Sequence, residues 1–157
     1  MARQEIDVRA TTPASAQTVY ALLTDGSTWP DWSPLGSFEL AQPGAEGGES
    51  VGAVRVFRTG RVRSQEQIVE LVPAERFSYV LRKGLPLRDY RADVELSRLP
   101  DGTEIRWHST FTGKLPGSGP LYRRQLERFF RRTVVGLAEY AAREEAAPTA
   151  TPSGERR

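Results

Sequence analysis

Apolar and polar residues alternate strictly in Glu5-Ile6-Asp7-Val8-Arg9-Ala10, which predicts a strand with Ile6, Val8 and Ala10 on one face. The period then changes. Thr12-Pro13 reads as an N-cap followed by a residue pre-organised for the first helical turn, and Ala16, Val19, Tyr20, Leu22 and Leu23 keep helical spacing up to Asp25-Gly26. The segment Ser27-Thr28-Trp29-Pro30-Asp31-Trp32-Ser33-Pro34 carries two prolines, which a strand interior does not accept, so a second short helical turn folded under the first is expected. From Ser37 to Thr112 the pattern is β throughout, with strand-like runs at 37–42, 51–58, 61–72, 76–83, 89–99 and 103–112. Short turn-forming stretches such as Thr59-Gly60, Pro73-Ala74-Glu75, Gly84-Leu85-Pro86 and Pro100-Asp101-Gly102 separate them, which favours hairpins and an antiparallel meander.

After Leu115-Pro116-Gly117-Ser118-Gly119-Pro120, one long helical pattern sets Leu126, Phe129, Phe130, Thr133, Val134, Leu137, Tyr140 and Ala141 on a single face. An apolar face of that length must cover something, and the meander is the only partner available. The expected class is α+β: a curved antiparallel sheet of about seven strands wrapped around a long C-terminal helix, with two short N-terminal helices. One domain over residues 1–145 is expected, followed by a tail at 146–157 whose Ala-Pro-Thr-Ser-Gly composition reads as disordered.

Composition narrows the chemistry. The chain has 157 residues and no cysteine, which removes disulfides, thiolate metal sites, iron–sulfur clusters and cysteine nucleophiles. A single histidine, His108, removes sites that need two imidazoles, although an all-carboxylate Mg²⁺ or Ca²⁺ site stays open. No cofactor is expected. A Ser-His-Asp triad fails locally, because His108 and Ser109 are adjacent on one strand and point to opposite faces; His108 is expected on the surface. The net charge is +2, with Lys83 and Lys114 the only lysines among 22 basic residues. That balance is too weak for a nucleic-acid binder, and no run approaches the roughly 18 apolar residues of a membrane span. A cytoplasmic protein, monomeric or homodimeric, is expected.

Three groups of residues carry a resemblance. Pro13-Ala14 with Val19-Tyr20-Ala21-Leu22-Leu23-Thr24-Asp25 and Trp29-Pro30-Asp31-Trp32-Ser33-Pro34 form the first. Val51-Gly52 and Glu70-Leu71-Val72-Pro73-Ala74-Glu75-Arg76-Phe77 form the second, and Asp101-Gly102-Thr103-Glu104-Ile105-Arg106-Trp107 the third. In this order they resemble the SRPBCC superfamily, which includes START lipid-transfer domains, birch-pollen-allergen-type proteins and the bacterial polyketide cyclase/dehydrase family. The resemblance implies a helix-grip fold with a deep hydrophobic cavity between the sheet and the C-terminal helix. It does not imply one function, since this fold serves binding, transport and cyclisation alike.

Strand parity then nominates cavity residues. Phe77, Tyr79 and Leu81, then Tyr90, Ala92, Val94 and Leu96, then Ile105, Trp107, Ser109 and Phe111 share the inward face. Strand 61–72 is ambiguous: inward Val69 and Leu71 bring Arg63, Gln65 and Gln67 with them, whereas inward Ile68 and Val72 bring Ser64 and Glu66. The candidate ligand-binding set is Trp32, Gln67, Phe77, Tyr79, Leu81, Tyr90, Val94, Trp107, Ser109, Phe111, Phe130 and Val134. Trp32 is expected as a wall of the cavity mouth, and Trp29 as either core or wall. The loop from Gly44 to Gly52 is a hairpin loop whose functional alternative is a gate. Gly136 suggests close approach of the long helix to the sheet or room for a ligand. Arg123 to Arg132 is a solvated helix face or a transient contact for anionic lipid.

Three functions fit these features. The leading one is binding of a hydrophobic small molecule, polyketide-like, aromatic or lipid. The second is a polyketide aromatase/cyclase in which Tyr79, Tyr90 or a buried arginine such as Arg63 stabilises an enolate. The third is a non-catalytic interaction module with a packed interior.

Overall fold

The computed structural model describes residues 2–147. The tail expected from residue 146 falls outside the described residues from 148 onward, and helix α3 itself runs through Ala146. Seven strands form one antiparallel sheet in the order β1-β7-β6-β5-β4-β3-β2: β1 (Gln4–Thr12), β2 (Ser37–Gln42), β3 (Val54–Thr59), β4 (Val62–Val72), β5 (Arg76–Lys83), β6 (Leu87–Leu99) and β7 (Gly102–Gly113). Two helices, α1 (Ala16–Thr24) and α2 (Trp29–Trp32), connect the two edge strands, and α3 (Gly119–Ala146) lies across the sheet. This is the helix-grip architecture that the alternation and the long apolar helix face call for.

The expected start of α1 shifts by three residues. Thr12 ends β1 instead of capping a helix, because its Oγ1 donates to Ala138 O at 2.8 Å and so ties β1 to α3. Ser15 is the cap, its Oγ accepting from Thr18 N–H at 3.3 Å.

Strand β4 resolves the ambiguous parity by carrying a bulge between Ile68 and Glu70; a second register shift, between Gln65 and Glu66, leaves Arg82 of β5 as the unpaired residue. Ile68 stands opposite Tyr79 and Leu71 opposite Phe77, so both face the core even though their separation in sequence is odd. Val69 is the extra residue that a bulge inserts. Ser64, Glu66 and Ile68 therefore point inward, Leu71 also does, and Arg63 is exposed.

Gly136 packs against α2 and not against the sheet. A Cβ there would stand 2.0 Å from Trp32 O, so the missing side chain is what lets α3 pass over the backbone of α2. The outer face of the sheet carries an ion-pair chain across five strands: Asp7–Arg106 (2.8 Å), Arg106–Glu95 (3.2 Å), Glu95–Arg76 (2.7 Å), Arg76–Glu70 (3.4 Å) and Glu70–Arg91 (3.0 Å). His108 lies half-buried in this layer, its Nε2 3.3 Å from Glu95 Oε2.

Candidate functional site

A cavity of about 280 Å³ lies between the sheet and the first half of α3. Its deep walls are Trp29, Phe57, Tyr79, Tyr90 and Phe130, all at least nine-tenths buried. Pro34 and Leu35 after α2, Thr59 and Val62 at the β3–β4 turn, Leu85 and Leu87 at the β5–β6 turn, and Tyr122, Gln125 and Leu126 on α3 form the outer part. The β5–β6 turn is held close by Gly84, which at φ +111° passes 2.1 Å, measured from a notional Cβ, from Arg63 O. The lining is mostly apolar and aromatic with a few polar groups, the composition of a small-molecule site.

Two of the buried polar groups in and beneath this cavity are charged types. Arg55 on β3 is fully buried beneath the cavity wall, its guanidinium 4.4 Å from the Trp29 ring and 5.1 Å from both Phe57 and Phe77. Such contacts contribute about 2 kcal/mol or more when water is excluded. Its Nη1 donates to Leu23 O at 3.0 Å and to Glu49 Oε1 at 3.2 Å, and its Nη2 has no partner. Burial draws the Arg55 pKa down, while the Glu66 and Glu49 charges oppose that shift.

Glu66 on β4 stands opposite Arg55 in the strand register and lines the cavity directly. Its Oε2 is buried and makes no hydrogen bond. Burial raises its pKa to about 7, with Arg55 pulling the other way. Tyr79 and Tyr90 face the same space, and burial pushes both phenols well above their usual range. Among the described residues no cluster of three or more histidine and carboxylate side chains is placed to hold a metal ion.

The candidate residues divide into two groups. Tyr79, Leu81, Tyr90 and Phe130 line the cavity. Phe77, Val94, Trp107, Ser109, Phe111 and Val134 face inward but are packed into the closed core, where Trp107 stacks on Phe130 with centroids 5.9 Å apart. They do not border the open space: α3 packs directly on β1 and β7, and α1 with Trp29 of α2 covers Phe77 and its neighbourhood on β5 and β6. Gln67 is a correction: it alternates with inward Glu66 and Ile68 and so points outward, where its Nε2 donates to Gly52 O at 3.0 Å and its Oε1 accepts from Arg82. Trp32 is another. It is buried against α3 beside a separate shallow cleft with Arg132, Gly136 and Arg143, and its Nε1 donates to Thr28 Oγ1 at 3.0 Å; Trp29 is the tryptophan in the cavity wall. The loop from Gly44 to Gly52 does not border the cavity, and Glu49 pins it by accepting from Gly26 N–H at 2.8 Å and from Arg55. Burial raises the Glu49 pKa against the pull of Arg55.

Sequence reasoning missed Arg55, whose parity with Phe57 was the available signal, and the mouth residues Leu85, Tyr122 and Leu126, which belong to turns or to a helix face without strand parity. The arginine-rich face of α3 is partly engaged: Arg123 Nε donates to Glu5 O at 3.0 Å, and Arg131 pairs with Glu127 at 3.0 Å.

The family model described as "Polyketide cyclase / dehydrase and lipid transport" matches residues 3–142, nearly the whole described chain. The chain belongs to that family. Solved structures related to this polyketide cyclase/dehydrase family member share its fold at low identity. A START superfamily protein from Mycobacterium smegmatis superposes with a TM-score of 0.76 at 15% identity, covering 89% of this chain and 98% of its own. The Zhui aromatase/cyclase from Streptomyces sp. R1128 gives 0.75 at 17% identity over 93% and 98% of the two chains. Ara h 8.0201 gives 0.70 at 17% identity over 89% and 98%. No curated protein matches the chain. No helix among the described residues is long and apolar enough to cross a membrane.

Proposed function

We propose that the chain is a cytoplasmic protein that binds a hydrophobic small molecule, polyketide-like, aromatic or lipid, in the cavity between the sheet and α3. The observation that carries this reading is the cavity itself: about 280 Å³ of space walled by Trp29, Phe57, Tyr79, Tyr90 and Phe130, with an outer rim of turns and the first turns of α3. An interior left open to this extent counts against a module whose core serves packing alone, since apolar surface that faces empty space forfeits dispersion contacts. The family description, which names both cyclisation and lipid transport, supports a small-molecule role of either kind.

Native mass spectrometry of freshly purified protein, paired with organic extraction, tests the reading. A hydrophobic molecule released in stoichiometric amount supports it. An apo mass together with no displacement of a cavity-binding dye by any hydrophobic compound overturns it.

Ring closure on a poly-β-ketone is the second reading. Favouring it are Glu66, a carboxyl that exchanges its proton near neutral pH, and the Tyr79 and Tyr90 phenols facing the same space, a combination suited to proton transfer and oxyanion stabilisation. Arg63 has no part in it, because it is exposed on the outer side of β4. Turnover of a poly-β-ketone mimic that disappears in Glu66→Gln but persists in Arg63→Ala is the expected pattern for this second reading.

A further inference from the structure

Glu66 is the only carboxylate that lines the cavity among the described residues, and no lysine or arginine lines it. Its Oε2 is buried without a hydrogen-bond partner although a buried carboxyl ordinarily has one. Arg55 stands opposite it in the register and does not complete it: the Arg55 ion pair goes to Glu49, its other donor contact to Leu23 O, and its guanidinium is fixed against Trp29, Phe57 and Phe77. The titratable groups that face Glu66 from the neighbouring strands are the phenols of Tyr79 on β5 and Tyr90 on β6, both pushed up by burial and so uncharged at neutral pH. The cavity thus presents aromatic walls and one unsatisfied acidic group.

We propose that Glu66 is the hydrogen-bonding anchor of this cavity and that it selects an uncharged aromatic ligand carrying a hydroxyl group over an aromatic carboxylate of the same shape. The proposal rests on the binding function proposed above and names the ligand class for it. A hydroxyl satisfies Glu66 in either protonation state, since it accepts from the neutral acid and donates to the carboxylate. A ligand carboxylate is satisfied only by the neutral acid and is repelled by the ionised one, with no free cation in the lining to compensate. Because Glu66 changes state around pH 7, the penalty on an anionic ligand grows through neutrality.

The test uses the full chain and three probes of common shape, naphthalene, naphthol and naphthoate, titrated by calorimetry at about pH 6 and about pH 8. Naphthol is expected to bind about tenfold more tightly than naphthalene, with nearly the same Kd at both pH values. Naphthoate is expected to lose about tenfold in affinity between them, in proportion to the falling fraction of neutral Glu66. In Glu66→Gln the pH dependence for naphthoate disappears, and in Glu66→Leu the advantage of naphthol over naphthalene disappears; the thermal transition of each variant verifies folding. If all three probes bind wild-type protein alike at both pH values, the anchor is overturned while the apolar binding site stands. Failure of every probe to bind wild type and variants alike overturns the binding function and the anchor with it.

Discussion

At the scale of single residues, buried Glu66 gives the fold a pH response. A carboxyl whose pKa is raised to about 7 in the folded chain holds more protons there than in the unfolded chain, where it titrates in the ordinary range. Its favourable contribution is therefore complete at low pH and is lost as pH rises through about 7, by roughly 3 kcal/mol. Glu66→Gln should be more stable than wild type at about pH 8 and close to it at about pH 5, which urea denaturation at the two values measures. Arg55 carries the complementary expectation. Arg55→Met keeps the volume but removes the buried cation that pairs with Glu49, leaving Glu49 only the Gly26 N–H and Leu23 O only Trp29 Nε1, so a loss of about 3 kcal/mol is expected from the same urea titrations. Neither residue was legible as a site. Arg55 sits between valines in a run whose charge reads as surface, and burial became possible only because Trp29, Phe57 and Phe77 surround the guanidinium. The facing of Glu66 stayed open because the bulge at Val69 puts Leu71 on the same face as Ile68 and so breaks the period-two pattern from which facing is read.

The elements were more legible than the residues, for a physical reason. Hairpin turns need glycine, proline or aspartate at short spacing, so Thr59-Gly60, Gly84-Leu85-Pro86 and Pro100-Asp101-Gly102 mark strand ends directly, and every strand expected from them is present within three residues of its bounds. The apolar stripe of α3 likewise follows from its spacing, and Phe130, Thr133, Val134, Leu137 and Ala141 are buried along it. What spacing cannot show is the neighbour. Gly136 suggested an approach to the sheet or room for a ligand, whereas the contact is with the Trp32 carbonyl of α2, a helix of four residues. Helix propensity alone favours Gly136→Ala by about 1 kcal/mol. The added methyl, however, would stand 2.0 Å from Trp32 O and force α2 and α3 apart. Overpacking of this kind costs about 1–3 kcal/mol beyond the propensity gain, so the substitution should lower the thermal midpoint. An alanine variant at least as stable as wild type would show that α2 yields easily.

For the whole molecule, the decisive feature is where the sheet and α3 part company. Around Trp107, Phe111 and Val134 they are in direct contact, and around Tyr79, Leu81, Tyr90 and Phe130 they separate into the cavity. Parity assigned all of these residues to one inward face, but parity reports direction and says nothing of the gap between layers, which depends on how α2, the β5–β6 turn and the first turns of α3 meet. A substitution that fills the gap without touching its deep polar group separates cavity from fold. Leu126 on α3 lines the outer part and is partly buried, so Leu126→Trp places a larger ring across the opening. Ligand bound only by the folded state at about a hundred times its Kd adds roughly 2.7 kcal/mol to stability, which for a chain of this size raises the thermal midpoint by about 5–10 °C. With naphthol as ligand, wild type should show that shift and Leu126→Trp should show almost none. Leu121→Trp, at an exposed position on the same helix, is the control and should retain it in full. Equal ligand-induced shifts in wild type and Leu126→Trp would place the bound molecule somewhere other than the space between sheet and helix.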